Sequence, residues 1–269
     1  WTGAYHYWTF VGIVALSSAF SSLQFPAFSS AISVLVDKKN LGRASGLTQF
    51  GYGFAQLVGP ALGGTLLTSI ELTGILVIDF CTFSLAISML LFVSIPKPKI
   101  TGAGRQAKGS FGQEMGYAWK YIRTRTGLLG NLILAGGMNL NIGMSLVLIA
   151  PLILSIATAA ELGIAMSSSG LGMLVGGIAM TLVSTPKKLV NTIVVALLAQ
   201  SSLYLALASH PSVVLITTAG FFAGITVPII YSCSDVIWQR KVAPDMQGKV
   251  FSFRPVISGL PYPFGFLLA

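Results

Sequence analysis

Apolar positions run along this chain in long blocks rather than in alternation. Residues 1–36, 44–70, 126–160, 162–186 and 189–234 contain no Asp, Glu, Lys or Arg. A helix needs roughly 20 apolar residues to cross a bilayer, so each block is long enough for at least one crossing. The last is too long for one, and the stretch "SHPS" from Ser209 to Ser212 divides it, because proline lacks the backbone donor that a helix interior uses. The pattern predicts eight spans with edges near 7–36, 45–69, 72–94, 128–154, 162–184, 189–208, 213–237 and 250–269. None has the alternating, roughly ten-residue signature of a membrane-barrel strand. The chain reads as an all-α integral membrane protein.

The connection between the third and fourth spans differs in kind. "PKPKITGAGRQAKGS", residues 96–110, is a flexible basic linker. From Phe111 onward Phe111, Met115, Ala118, Trp119 and Ile122 recur at helical spacing, with Gln113, Glu114, Lys120 and Arg123 opposite. This predicts an amphipathic helix resting on anionic headgroups. The chain thus divides into residues 1–94, a connection at 95–127, and residues 128–269.

Composition agrees: 54% of the 269 residues are hydrophobic and 9% charged, against about a quarter charged in soluble domains. Charge placement adds topology. All sixteen Lys and Arg fall in or beside alternate connections: Lys38, Lys39 and Arg43; seven from Lys97 to Arg125; Lys187 and Lys188; then Arg240, Lys241, Lys249 and Arg254. The intervening connections hold Glu71, Glu161 and His210. Cations near span ends mark the cytoplasmic side, which places residue 1 outside. The net charge of +9 is thereby accounted for without nucleic acid as a partner. Cys81 and Cys233 both fall within spans and read as packing residues rather than a disulfide.

An internal echo gives the larger plan. "FPAFSSAISVLV" from Phe25 and "VPIIYSCSDVIW" from Val227 align without gaps, Pro26 with Pro228, Ser30 with Ser232 and Val34 with Val236. Both close a span at a basic connection, and the two lie six spans apart. Parallel six-span repeats build transporters of twelve spans whose halves are related by an axis along the membrane normal. In that register the first span is the fourth of twelve and the last a truncated eleventh; with no initiator methionine at Trp1 and an apolar run at Ala269, an excerpt of a longer chain is expected.

The residues then resemble a known family. Gly46, Gly59, Pro60, Gly63 and Gly64, with Ala55 between them, follow the antiporter signature of a fifth helix: glycine, eight residues, a small residue, three residues, then G-P-x-x-G-G. "FPAFSSAISVLVDKKNLGRASGL" is similar to the connection before that helix, "FGQEMGYAWKYIRTRTGLLG" to the approach to the seventh, and "APDMQGKVFSFR" to the tenth-to-eleventh loop. Together they resemble the drug:proton antiporter branch of the major facilitator superfamily, near macrolide and siderophore exporters. Two features depart from the pattern: "STPKKLV", where a loop signature would recur, lacks its glycine and acid, and the fourth-helix arginine of many proton-coupled members has no equivalent from Trp1 to Val36.

The resemblance implies two six-helix halves around a central cavity, and secondary transport that exports an amphipathic small molecule in exchange for protons. Two other readings stay open: uptake or facilitated diffusion, and a non-transporting permease subunit or scaffold. The implied surroundings are a lipid bilayer, a bacterial inner membrane, with a small-molecule substrate and protons as partners, no cofactor, and a monomeric protein.

Named residues follow. Gly59 and Gly63 share a helix face, where small side chains let backbones approach; the resemblance sets the motif at the seam between halves. Asp79 is the only acid well inside a span and is the candidate for proton coupling, since burial raises a carboxyl's pKa. Gln56 and the pair Asn139 and Asn141 are candidate cavity amides, although the pair lie roughly 200° apart around a helix and cannot both face one cavity. Met138, Met144 and Phe54 are candidates for adaptable apolar lining. Asp235 is expected to pair with Arg240 or Lys241, and Arg254 to snorkel toward the interface. An enzyme is not expected: His6 and His210 lack acidic partners, "SSSG" at Ser167 to Gly170 lacks a histidine, and neither paired metal ligands nor a nucleotide-binding loop occurs.

Overall fold

The computed structural model describes residues 7–92, 111–183, 185–209 and 212–269. Its helices are α1 (Tyr7–Leu35), α2 (Leu41–Phe92), α3 (Phe111–Arg123), α4 (Thr126–Ile156), α5 (Ala159–Leu182), α6 (Leu189–Ser209), α7 (Val213–Lys241), α8 (Pro244–Gly259) and α9 (Pro261–Leu268). No strand occurs among the described residues. The basic linker at 96–110, His6 and His210 lie outside them.

Helix boundaries follow the expected edges closely, with two differences. α2 contains both the second and third expected spans, which meet at Glu71 in a left-handed conformation with φ 55° and ψ −178°. Side chains rarely adopt it, at a cost of about 1–3 kcal/mol. Close by, Gly74 lies against Ile70, so that a Cβ there would approach the Ile70 side chain to 2.7 Å. The second difference concerns the eighth span: residues 250–269 form the end of α8 and then α9, joined at Leu260, with Pro255 inside the first and Pro261 opening the second.

Six described helices are long and apolar enough to cross a membrane: Val11–Leu35, Ser69–Phe92, Thr126–Ile156, Glu161–Leu182, Leu189–Leu207 and Val213–Lys241. The expected spans at 45–69 and 250–269 are not among these six. The first of them is enriched in glycine, Gln49 and Gln56, and the second begins among polar residues and is cut by prolines.

The chain forms two compact units, each drawing on segments from before and after the linker. The first holds residues 1–35, 97–145 and 238–269. Its core joins Ala118, Tyr121 and Ile122 of α3, Leu128 and Leu132 of α4, Trp238 at the end of α7, and Met246, Val250 and Phe251 of α8. α1 and α3 both pack on α8. The α3 helix forms where periodicity put it, and part of its apolar side meets protein: Ala118 and Ile122 are fully buried, while Trp119 stays exposed with Phe253 6.1 Å away between ring centroids. Glu114 and Lys249 tie the two helices with a 2.5 Å ion pair. Ala118 and Ile122 are thus buried on the side where α3 packs on α8.

The second unit holds residues 36–96 and 146–237. α2 packs extensively along α5. α5 in turn crosses α7 where Gly172 and Gly176 face Gly224 and Ile225, so closely that a Cβ on any of the three glycines would strike backbone. Ser168 of α5 donates to the Thr217 carbonyl of α7 at 2.8 Å. At the other end Ile153, Ala165 and Ile216 form a small core. The entry to α5 is fixed by a capping box, Thr158 receiving the Glu161 N–H while the Glu161 carboxylate takes the Thr158 N–H. Such caps satisfy backbone donors that a helix start leaves without partners.

Candidate functional site

The glycine motif lies along α2, and its members meet different surroundings. A Cβ on Gly46 would come within 2.7 Å of the Met180 carbonyl carbon and 2.8 Å of the Thr181 nitrogen, both backbone atoms of α5. Gly53 lies similarly against Leu174 and Met173, at 3.0 to 3.1 Å. From the opposite side, a Cβ on Gly177 would reach the Phe50 backbone at 2.7 Å. These glycines allow two helix backbones to touch, which is how helices associate when lipid and side chains are equally apolar. Gly59 differs: it is exposed and a Cβ there would meet nothing within 4 Å. Pro60, Gly63 and Gly64 lie within α2, but their surroundings are outside the described residues. The tight seam is thus carried by the earlier glycines, Gly46 and Gly53, rather than by Gly59.

The candidate cavity residues fall into two sets. Phe54, Gln56 and Asp79 are exposed members of the second unit. The Phe54 ring stacks on Phe50 one turn earlier, 6.3 Å between centroids. Met138, Asn139, Asn141 and Met144 belong to α4 in the first unit. Asn139 is half-buried and its amide donates to the Ala135 carbonyl at 2.9 Å, within its own helix, whereas Asn141 is exposed. Met138 and Met144 are half-buried, and the Met144 backbone lies where α4 meets α9, 2.8 Å from a Cβ built on Gly265. Asp79 is exposed on the second arm of α2, and its backbone carbonyl accepts from the Thr82 hydroxyl at 2.9 Å.

Several polar residues with structural consequences carried no sequence signal. Gln247, fully buried near the start of α8, donates its amide to the carbonyls of Gln239 and Val242, each at 3.1 Å, and accepts from the Ser33 hydroxyl of α1. It closes the end of α7 and ties α1 to it. Trp238, also fully buried, donates its indole N–H to Asn131 at 3.0 Å and lies under the Arg254 guanidinium, 5.2 Å from the ring centroid. Arg254 therefore packs inside the unit rather than snorkelling out, held by attraction between a cation and a π-face. In the second unit the Thr185 hydroxyl, on the connection from α5 to α6, accepts from the Gly42 N–H and donates to the Lys39 carbonyl, both at 3.2 Å. Nothing in local periodicity marks Gln247 or Thr185, because each acts on segments distant in sequence.

Comparisons with known proteins complete the picture. The Major Facilitator Superfamily profile matches residues 1–266. Macrolide efflux protein A of Streptococcus pyogenes is 25% identical over 273 residues, covering 97% of this chain and 65% of its own length. Macrolide efflux protein A of Enterococcus faecalis is 26% identical over 269 residues, covering 96% of this chain and 80% of its own. An uncharacterized MFS-type transporter of Bacillus subtilis, YkuC, is 26% identical over 99 residues, 37% of this chain and 22% of its own. The chain thus spans about two thirds of the length of the streptococcal relative. No solved structure matches it. With an all-helical body, six membrane-length helices and a profile that runs nearly its whole length, this chain belongs to the Major Facilitator Superfamily, a family of membrane transporters rather than enzymes.

Proposed function

We propose that this protein exports an amphipathic small molecule, of the macrolide, drug or siderophore kind, by proton antiport and alternating access. The observation that carries the reading is the similarity to macrolide efflux proteins along 96–97% of the chain. Two halves, residues 1–94 and 128–269, rock about a seam between them, while residue 1 faces outward and the basic connections face the cytoplasm of a bacterial inner membrane. The protein acts as a monomer.

In this reading Gln56, Asn139 and Asn141 supply amide contacts to the substrate, and Phe54, Met138 and Met144 supply apolar surface that adapts to different ligands. Asp79 loads and releases the coupling proton. Gly46, Gly59, Pro60, Gly63 and Gly64 form the stretch of α2 along which the halves move against each other.

The test is accumulation of an amphipathic fluorescent dye or a labelled macrolide in inverted membrane vesicles carrying the intact protein. An exporter coupled to protons fills the vesicles when their lumen is acidic and stops when an ionophore collapses the gradient. Asp79→Asn is expected to lower that gradient-driven uptake at least tenfold while leaving dye binding intact. Accumulation in right-side-out vesicles instead would make the protein an importer, and absence of flux in both would make it a scaffold.

A further inference from the structure

In the second unit, α6 and α7 carry polar residues at a depth where lipid offers no partner. Leu207 packs on the small core that holds Ile216, and farther along the pair the Thr226 hydroxyl stands 3.4 Å from the Gln200 side-chain oxygen, so the two helices run antiparallel. By the rise per residue of a helix, Thr226 lies roughly 20 Å along α7 from either end, and Gln200 roughly 15 Å along α6. Both are at mid-span.

The hydrogen bonds of this cluster do not close. Gln200 donates one amide N–H to the Tyr204 hydroxyl at 3.1 Å, one turn along α6. The Thr226 proton goes to the Ala223 carbonyl of its own helix at 2.7 Å, so the Gln200 oxygen gains little from it. Among the described residues, the second Gln200 N–H and the Tyr204 proton have no acceptor. Turning the amide over lets it accept from Tyr204 and donate to Thr226, and one N–H is still left. In hydrocarbon such a donor finds no water and is costly to leave bare. Lipid does not supply the acceptor, because its polar groups stand at the edges of a hydrocarbon core about 30 Å thick.

The surroundings are apolar and aromatic. Gln200 and Tyr204 are half-buried, so neither is sealed inside the protein. Phe222 lies one turn before Thr226 on the same face of α7, 53% exposed, its ring edge-on to Phe221 with 5.5 Å between centroids. Phe222 and Tyr204 both lie on the side of the Gln200–Thr226 contact nearer the α6–α7 connection, one aromatic ring from each helix. No Asp, Glu, Lys or Arg occurs from 189 to 234, so nothing on either helix here would balance a charge.

We propose that Gln200, Tyr204 and Phe222 form a binding site for the uncharged, oxygen-bearing part of a small amphipathic molecule. Its carbonyl or hydroxyl oxygens take the spare N–H and O–H, and its apolar body lies against the rings. A few placed polar groups in an apolar surround are the usual make-up of a small-molecule site. This rests on the exporter reading above and adds a site on α6 and α7 to it.

The test measures uptake by inverted vesicles carrying the intact protein, with two probes: radiolabelled erythromycin, rich in carbonyl and hydroxyl oxygens, and tetraphenylphosphonium, amphipathic but without an acceptor. Gln200→Leu should raise the KM for erythromycin about tenfold and Tyr204→Phe, which keeps the ring, about threefold, as loss of one ligand hydrogen bond does. The KM for tetraphenylphosphonium should stay at the parent's value in both. Tyr204→Phe decides alone if Gln200→Leu does not fold. An unchanged KM for erythromycin overturns the site. Equal rises for both probes would make the cluster helix packing, and a shift from dimer to monomer with Gln200→Leu would make it a protein interface; each overturns the site and leaves export standing. If the parent moves neither probe, the exporter reading fails, and erythromycin binding to the purified protein in nanodiscs decides the site. Binding about tenfold weaker to Gln200→Leu then upholds it, and equal binding or none overturns it.

Discussion

At Gly46 and Gly59 the same residue type answers to different forces. Gly46 has the α5 backbone 2.7 Å from where a Cβ would stand, while Gly59 has nothing within 4 Å. Adding one carbon to a packed helix crossing forces backbones apart and costs typically 1–3 kcal/mol. Adding it to an open helical position gains about 0.5–1 kcal/mol, because glycine weakens a helix. Gly46→Ala should therefore lower the melting temperature in detergent, measured by loss of the monodisperse peak on heating, and Gly59→Ala should leave it unchanged or raise it. Gln247 gives a second contrast: Gln247→Leu keeps the bulk but strands the carbonyls of Gln239 and Val242 and the Ser33 hydroxyl. A loss of about 1–3 kcal/mol of stability is expected, read in the same assay. The glycine signature was legible in sequence because its spacing is fixed. Which of its members touch another helix was not, since spacing says nothing about what stands opposite.

The helices themselves were legible because lipid leaves them little choice. A backbone in hydrocarbon satisfies its polar groups internally, so long uncharged blocks become helices almost wherever they occur. Periodicity likewise found α3 to the residue at its start, Phe111. It could not tell what α3 rests on, because an apolar stripe fits a lipid surface and an apolar protein surface equally well. The docking on α8 gives a prediction at this scale. Glu114 and Lys249 are 2.5 Å apart, with side chains 31% and 24% exposed. A double-mutant cycle with Glu114→Gln and Lys249→Gln should yield a coupling of about 0.5–1 kcal/mol, diminishing with added salt as partly exposed pairs do. A coupling near zero at low salt would mean α3 is not held on α8 by this pair. Proline sets the limit at the other end of the chain: the apolar content of 250–269 suggested one crossing, and a join at Leu260, just before Pro261, divides it into two helices.

For the whole molecule, cations set the expected orientation and helix crossings set the packing. Sidedness is checked by labelling single cysteines in the intact protein with a membrane-impermeant maleimide. Glu161→Cys should react from outside intact cells, and Lys187→Cys only after permeabilisation; reaction of both from one face would reverse or abolish the proposed topology. Family membership was readable because the signature stretches are local in sequence, while overall identity to the efflux relatives is only 25–26%. The contacts of Thr185 with Lys39 and Gly42, and of Gln247 with Ser33, were not readable. Each joins segments on opposite sides of the linker through one side chain whose type suits many places in a protein.

What the sequence determined by itself was the solvent of each segment: apolar runs, charged connections and the small residues that permit close approach are written in composition and order. What the tertiary structure decided was partnership. It chose Gly46, Gly53 and Gly177 for the α2–α5 seam, turned Arg254 inward onto Trp238, and gave α3 a protein surface to cover. The physical reason is that the transfer free energy of a span depends on its own residues. Packing between spans gains nothing from that transfer and is settled by the shapes and hydrogen bonds that two distant segments offer each other.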